Sequence, residues 1–316
     1  MRSGSLRERN GHDWIDRFTS WLQQTQHYLT VRSEVISADA AVISFQTEWM
    51  RNQLLPNSTK TPSVLSSLEP LEGLVTDGAH KYWSNPNAIL LTTSSFDSVT
   101  DLWAPGLFTY TNGVSSTHYK YHFVGVFEGI AEAAAAQSIS LYDAMFAMVV
   151  DFSDPQRIGF VEAFEDFFEL HDAAIALLKG CQYHYDKSVT RVSRVASAVP
   201  SDKCSKFKKY CRILRTTEKS DTFFQVVKKI RKLCPSVEPW LAWWLRPEHA
   251  SMIFPSQMTM DPTLVKQLPS TTNAEEAMHA KIYKIAGKGH DLIDGLDGLL
   301  KVEAHHHGQH DHALGM

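Results

Sequence analysis

Gly73-Leu74-Val75-Thr76-Asp77-Gly78-Ala79-His80-Lys81 reads as a β-strand that runs out on a carboxylate. Leu74 and Val75 favour extended backbone, Asp77 stands where the apolar run stops, and Gly78 permits a turn. A strand that delivers an aspartate to its end can hold a divalent cation, although most such residues only cap or turn. A metal reading therefore needs further carboxylates in comparable contexts downstream.

Residues 73–113 predict three consecutive strands, an antiparallel meander. They are Gly73–Thr76, Ala88–Thr93 after the Asn85-Pro86 turn, and Gly106–Thr111, stopped by Asn112-Gly113. Tyr119 to about Gln137 follows as a helix with Phe123, Val126, Phe127 and Ile130 on one stripe. The unbroken apolar run Ala144–Val150 suggests a strand covered on both faces, and it too ends on an acid, Asp151. Phe152-Ser153-Asp154-Pro155 opens a helix carrying Ile158, Phe160, Val161, Phe164, Phe167, Phe168 and Leu170. Residues 173–192 give a further short buried strand and a helix. This order predicts an α/β fold, a ribonuclease-H-like mixed sheet flanked by helices. Its first and fourth strands lie side by side, so their ends would bring Asp77 and Asp151 close enough to share cations.

The flanks are less regular. Residues 1–65 are expected as an N-terminal flanking helical region, with Trp14, Ile15, Phe18, Trp21 and Leu22 at amphipathic spacing. Residues 31–55 are a strand or helix of undecided type, and Pro56–Ser63 is a loop by composition. Residues 66–200 form the first part of the core. A helical insertion over 201–266 contains Trp240, Trp243 and Trp244, read as core aromatics. Residues 267–300 supply the final core helices, opened by the cap cluster Ser270-Thr271-Thr272-Asn273. The stripe Ala274, Met278, Ile282 and Ile285 marks their buried face. Residues 301–316, with His305, His306, His307, His310 and His312, are expected as a His-rich disordered tail able to bind transition metals adventitiously.

Composition narrows the class. The chain has 316 residues, 43% of them hydrophobic, enough for a sizeable core. A net charge of −4 gives the molecule no overall attraction to polyanions. Cys181, Cys204, Cys211 and Cys234 are too few and too irregularly spaced for a disulfide scaffold, which favours a reducing compartment. No signal peptide and no run of about 18 apolar residues is read, so no membrane association is expected. Charge is unevenly spread: residues 179–232 hold 15 Lys or Arg against 4 Asp or Glu. Lys203, Lys206, Lys208, Lys209, Arg212 and Arg215 form one cluster, and Lys228, Lys229, Arg231 and Lys232 a second. A solvated helix face explains such runs most often. Beside a metal site, a phosphate-gripping surface becomes the better reading.

Four stretches together resemble Mutator-like element transposases of the DDE superfamily. Thr76-Asp77-Gly78-Ala79-His80-Lys81 resembles that family's DGTxxK segment, and Val149-Val150-Asp151-Phe152-Ser153 the segment holding its second Asp. Gly180-Cys181-Gln182-Tyr183-His184 resembles its CxxH signature, and Thr272-Asn273-Ala274-Glu275-Glu276-Ala277-Met278-His279 its TNxxES segment, with Ala277 where Ser is common. The likeness spans roughly residues 66–290. It implies Asp77, Asp151 and Glu276 as catalytic residues and metal ligands, with Glu275 as the alternative third acid because the stripe places it nearer the buried face. It implies Mg2+ (or Mn2+) as cofactor, DNA (transposon ends and target) as partner, a homo-oligomer as assembly, and the nucleus as location. The reaction would be two-metal DNA strand cleavage and strand transfer.

Other readings stand beside this one. A domesticated, catalytically inactive DNA- or protein-binding module is favoured by the lack of a zinc-finger or helix-turn-helix pattern in residues 1–65. Another nuclease on the same fold, acting on RNA–DNA hybrids for example, is a third. Cys181 and His184 could make half of a zinc site, completed by Cys204, Cys211, Cys234 or His249, but a structural or substrate-contacting role ranks above zinc. A Cys–His protease ranks lowest, since no oxyanion signature accompanies the pair.

Overall fold

A computed structural model describes residues 13–26, 28–37, 40–60, 71–169 and 171–316. Leu170 and residues 61–63 of the expected loop lie outside the described residues, as do the side chains of Trp14 and Ile15. The chain builds a seven-stranded mixed sheet with helices on both faces.

After α1 (Asp13–Thr25), the strands β1 (Leu29–Ile36) and β2 (Ala41–Thr47) form a hairpin, followed by α2 (Glu48–Gln53). Strands β3 (Leu74–Ala79), β4 (Ile89–Asp97) and β5 (Leu102–Thr111) make the expected antiparallel meander. The helices α3 (Ser116–Ala136) and α4 (Asp154–Phe168) flank β6 (Met148–Val150), and α5 (His171–Ala176) leads into β7 (Leu178–Gly180). The sheet order is β1-β2-β5-β4-β3-β6-β7, with β3, β6 and β7 parallel.

Two departures concern the chain ends. The N-terminal region is not a helical flank: β2 pairs antiparallel with β5, so the first hairpin extends the main sheet. Val42, Ile43 and Phe45 are buried there, which the mixed polar composition of residues 31–55 concealed. The stretch expected as a disordered His-rich tail belongs to α13 (Leu292–Ala313). Leu292, Leu296, Leu299 and Val302 recur at helical spacing and are buried against the sheet. His306 is buried as well, and His310 pairs with the buried Asp97 at 2.9 Å.

One face of the sheet packs on α3 and α4 through Phe123, Phe127, Phe160 and Phe164. The other packs on α1, α12 (Asn273–Ile285) and α13 through Trp21, Ile282 and Leu299. Burial on both faces explains why β4 has no alternation. Some of the polar side chains this leaves inside are paired: Thr76 Oγ1 and Thr93 Oγ1 are 2.6 Å apart, and the His122 ring bridges Thr93 and Thr109 at 2.7 Å each. Burial holds His122 far below the usual histidine range, at about 3, so it bridges as a neutral ring.

A third core lies in the helical segment between β7 and α12. It joins α6 (Gln182–Ser193), α7 (Cys204–Thr216), α8 (Ser220–Leu233), α9 (Glu238–Trp244) and α10 (Pro247–Ile253). The helical unit therefore begins earlier than residue 201, because Tyr185 and Val189 of α6 belong to its core. The chain returns through α11 (Pro262–Gln267). Lys179 of β7 donates to the carbonyls of Val265 and Leu268 at 2.7 and 2.8 Å, and burial lowers its pKa to about 8.

Candidate functional site

Strands β3 and β6 run parallel with Leu74 opposite Met148 and Val75 opposite Val149. Continuing that register sets Asp77 level with Asp151, so the two acids the sequence singled out emerge from adjacent strands. The first strand extends beyond its expected end at Thr76, and Asp77 lies inside it. Both carboxylates are half-buried. Burial and the neighbouring Asp151 charge raise the Asp77 pKa to about 7, with a further push from Glu276, against a 2.7 Å hydrogen bond from the Gly78 amide.

Glu276 stands in the first turn of α12, exposed, with its charge felt at Asp77. Glu275 is fully buried beside Ser94, with His279 Nε2 3.8 Å from Oε2. Burial pushes its carboxyl well above the usual carboxylate range. Of the adjacent pair, Glu275 is buried and Glu276 exposed, as the helix stripe implies, and the Asp77 charge acts on both.

The CxxH pair joins the same site. Cys181 is fully buried at the N-terminus of α6, and His184 lies one turn later with Nδ1 2.7 Å from Asp151 Oδ1. Hydrogen bonding to Asp151 and to Cys181 raises His184 to about 10. Burial works against a Cys181 thiolate, but hydrogen bonds from His184 and Thr272 hold the thiol below its ordinary value. Thr272 carries the arrangement: its backbone N–H donates to Sγ at 3.3 Å, and its hydroxyl lies 3.3 Å from Sγ and 3.4 Å from Asp151 Oδ1. Sequence reading took Thr272 for a helix cap and missed this bridge. The quoted TN segment was the one available signal.

The partners considered for a Cys181–His184 zinc pair lie elsewhere. Cys204 donates to the Ser193 carbonyl, and Cys211 and Cys234 are buried in the helical core. His249 is held by the Trp243 carbonyl and Asp154. A cavity of about 270 Å³ opens beside Asp151 and His184, walled by Phe152, Ser153, Ser188, Trp243 and Trp244. Trp244 is buried in the helical core, and Trp240 and Trp243 pack half-buried against it.

The basic clusters lie on α7 and α8 and the turn before α7. Lys206, Lys208, Lys209, Arg212, Lys228, Lys229, Arg231 and Lys232 are exposed, while Lys203 and Arg215 are half-buried. Two of the ten are committed locally. Arg215 bonds Gln182 at 2.6 Å and pairs with Asp186, and Arg231 forms a two-pronged pair with Glu238 at 2.9 and 2.8 Å. No helix among the described residues is long and apolar enough to cross a membrane. Comparison of the chain with protein-family models and with curated proteins finds no match.

Proposed function

We propose that the chain is a DDE-type transposase, or a nuclease derived from one, built on a ribonuclease-H-like core and acting on DNA. The observation that carries this reading is the β3–β6 register, which sets Asp77 level with Asp151 on adjacent strands, with Glu276 in the first turn of α12 as the third acid the reading requires.

The donor set fits a hard divalent cation, because three carboxylates offer only oxygen. Burial first, and the Asp151 charge second, raise the pKa of Asp77, and a bound cation would offset both. Asp77, Asp151 and Glu276 would hold Mg2+ or Mn2+, which supplies Lewis-acid stabilisation to an in-line displacement at phosphorus. His184 positions the Asp151 carboxylate, and Thr272 ties Asp151 to the start of the helix that carries Glu276. The exposed lysines of α7 and α8 suit contacts to phosphates, which position DNA without reading its sequence. A nuclear location and a homo-oligomer follow from the same reading.

Purified protein given Mg2+ or Mn2+ should nick supercoiled DNA or join strands, and Asp151→Asn should reduce this to background. Unchanged nicking by that variant overturns the assignment. A second reading, a DNA-binding module without catalysis, is favoured by the engagement of Asp151 with His184. It predicts binding without nicking in the unsubstituted protein.

A further inference from the structure

Asp151, Cys181 and His184 each offer one ligand atom, and those atoms lie within 4.8 Å of one another. The set is chemically mixed: one carboxylate oxygen, one sulfur and one imidazole nitrogen. Hard cations such as Mg2+ avoid thiolate, whereas borderline-soft cations accept all three donor types. The sulfur is already arranged as a thiolate ligand usually is, with the Thr272 amide and hydroxyl both directed at it. Nδ1 of His184 is buried and lies 2.7 Å from Asp151 Oδ1, so a cation between them would replace the proton that now sits at that contact. The cavity beside His184 and Asp151 provides an entry path and room for a water as fourth ligand.

We infer that Asp151, Cys181 and His184 form a binding site for a thiophilic divalent cation of the Zn2+ class. Loading releases the thiol and imidazole protons to solvent and draws Asp151 Oδ1 away from its contact with His184. The site stands by itself as a binding site. Its consequence rests on the proposed function: Asp151 cannot serve Zn2+ and Mg2+ together, so the thiophilic ion inhibits magnesium-dependent strand cleavage by occupying a shared ligand.

Cobalt titration of the chelator-treated full chain, without DNA, tests the site, because Co2+ bound to thiolate gives a near-ultraviolet charge-transfer band that histidine-only binding by α13 does not give. The expected result is a saturable band, displaced by Zn2+, absent in Cys181→Ser, and needing at least roughly tenfold more Co2+ in His184→Ala. No band, or a band that survives Cys181→Ser, overturns the site. Should Cys181→Ser fail to fold, an unchanged cobalt affinity in His184→Ala overturns it equally. A thiolate band lost in Cys181→Ser but indifferent to excess Mg2+ leaves the thiophilic site standing and counts against the magnesium site.

Discussion

Nδ1 of His184 lies 2.7 Å from Oδ1 of Asp151, although the two residues come from different strand–helix connections. The imidazolium is favoured here, and its pKa rises from an ordinary value near 6.5 to about 10. A histidine raised on folding contributes stability that is complete below its unfolded pKa and fades as pH climbs through the folded one. Replacing His184 by Gln should therefore cost about 1–2 kcal/mol at neutral pH, given a partly exposed ion pair. The deficit should shrink towards pH 10, measured by urea unfolding across that range.

Asp77 runs in the opposite sense. Its pKa is raised from 3.8 to about 7, chiefly by burial and then by Asp151. Its protonated form is the comfortable one, so stability is present below the unfolded pKa and is lost as pH rises through about 7. Asp77→Asn should raise the stability of metal-free protein above neutrality by about 1–3 kcal/mol, since a tenfold change in proton affinity corresponds to about 1.4 kcal/mol. The same substitution should abolish strand cleavage. Thermal unfolding in chelator checks the first part, and a nicking assay the second.

The adjacent glutamates should separate cleanly. Glu276→Gln should remove activity with little change in the unfolding midpoint, because the side chain is exposed. Glu275→Gln removes a carboxyl that burial keeps protonated, so it should leave the protein more stable than the parent in mildly alkaline buffer and nearly equal in acid. Paired denaturation curves at two pH values decide this.

The last helix should behave as core. Leu299→Ala in α13 should destabilise by about 2–5 kcal/mol, the usual range for a fully buried leucine. Removing residues 292–316 should yield insoluble protein, because Leu296, Leu299 and Val302 cover one face of the sheet. Expression and circular dichroism of the truncated chain report on it.

If α7 grips phosphates, Lys208→Glu with Lys209→Glu should weaken DNA binding and flatten its dependence on salt by about two counterions' worth. Arg231→Glu breaks the pair with Glu238 and should change that slope less. Binding isotherms over a salt series give the slopes.

Legibility followed sequence distance. The β3–β4–β5 meander and the β6 strand were readable because turn residues and unbroken apolar runs are local signals. Strand ends were not: the expected strand stops at Thr93, yet Ser94 to Asp97 continue β4 paired with β5, and the Ser95 hydroxyl donates to the Gln53 carbonyl. The β1–β2 hairpin was hidden because its place in the sheet depends on β5, far along the chain. Histidines disguised the end of α13, although Leu292, Leu296, Leu299 and Val302 before them stand at helical spacing. The aspartates were singled out by their place at expected strand ends, and Glu276 was chosen over Glu275 by the family spacing, while the helix stripe marked Glu275 as the inner of the two. Thr272 was invisible as a bridge because its partners, Cys181 and Asp151, are brought to it only by the returning chain.

The two carbonyls that Lys179 grips belong to the segment by which the helical unit rejoins the sheet, four residues ahead of Thr272 at the nearer one. That ammonium is an anchor bolt between β7 and the return path. Were DNA to settle across the lysine-bearing helices, as proposed, a tug on them would meet this bolt on its way to the acids, and loosening it should let strain pass between the two.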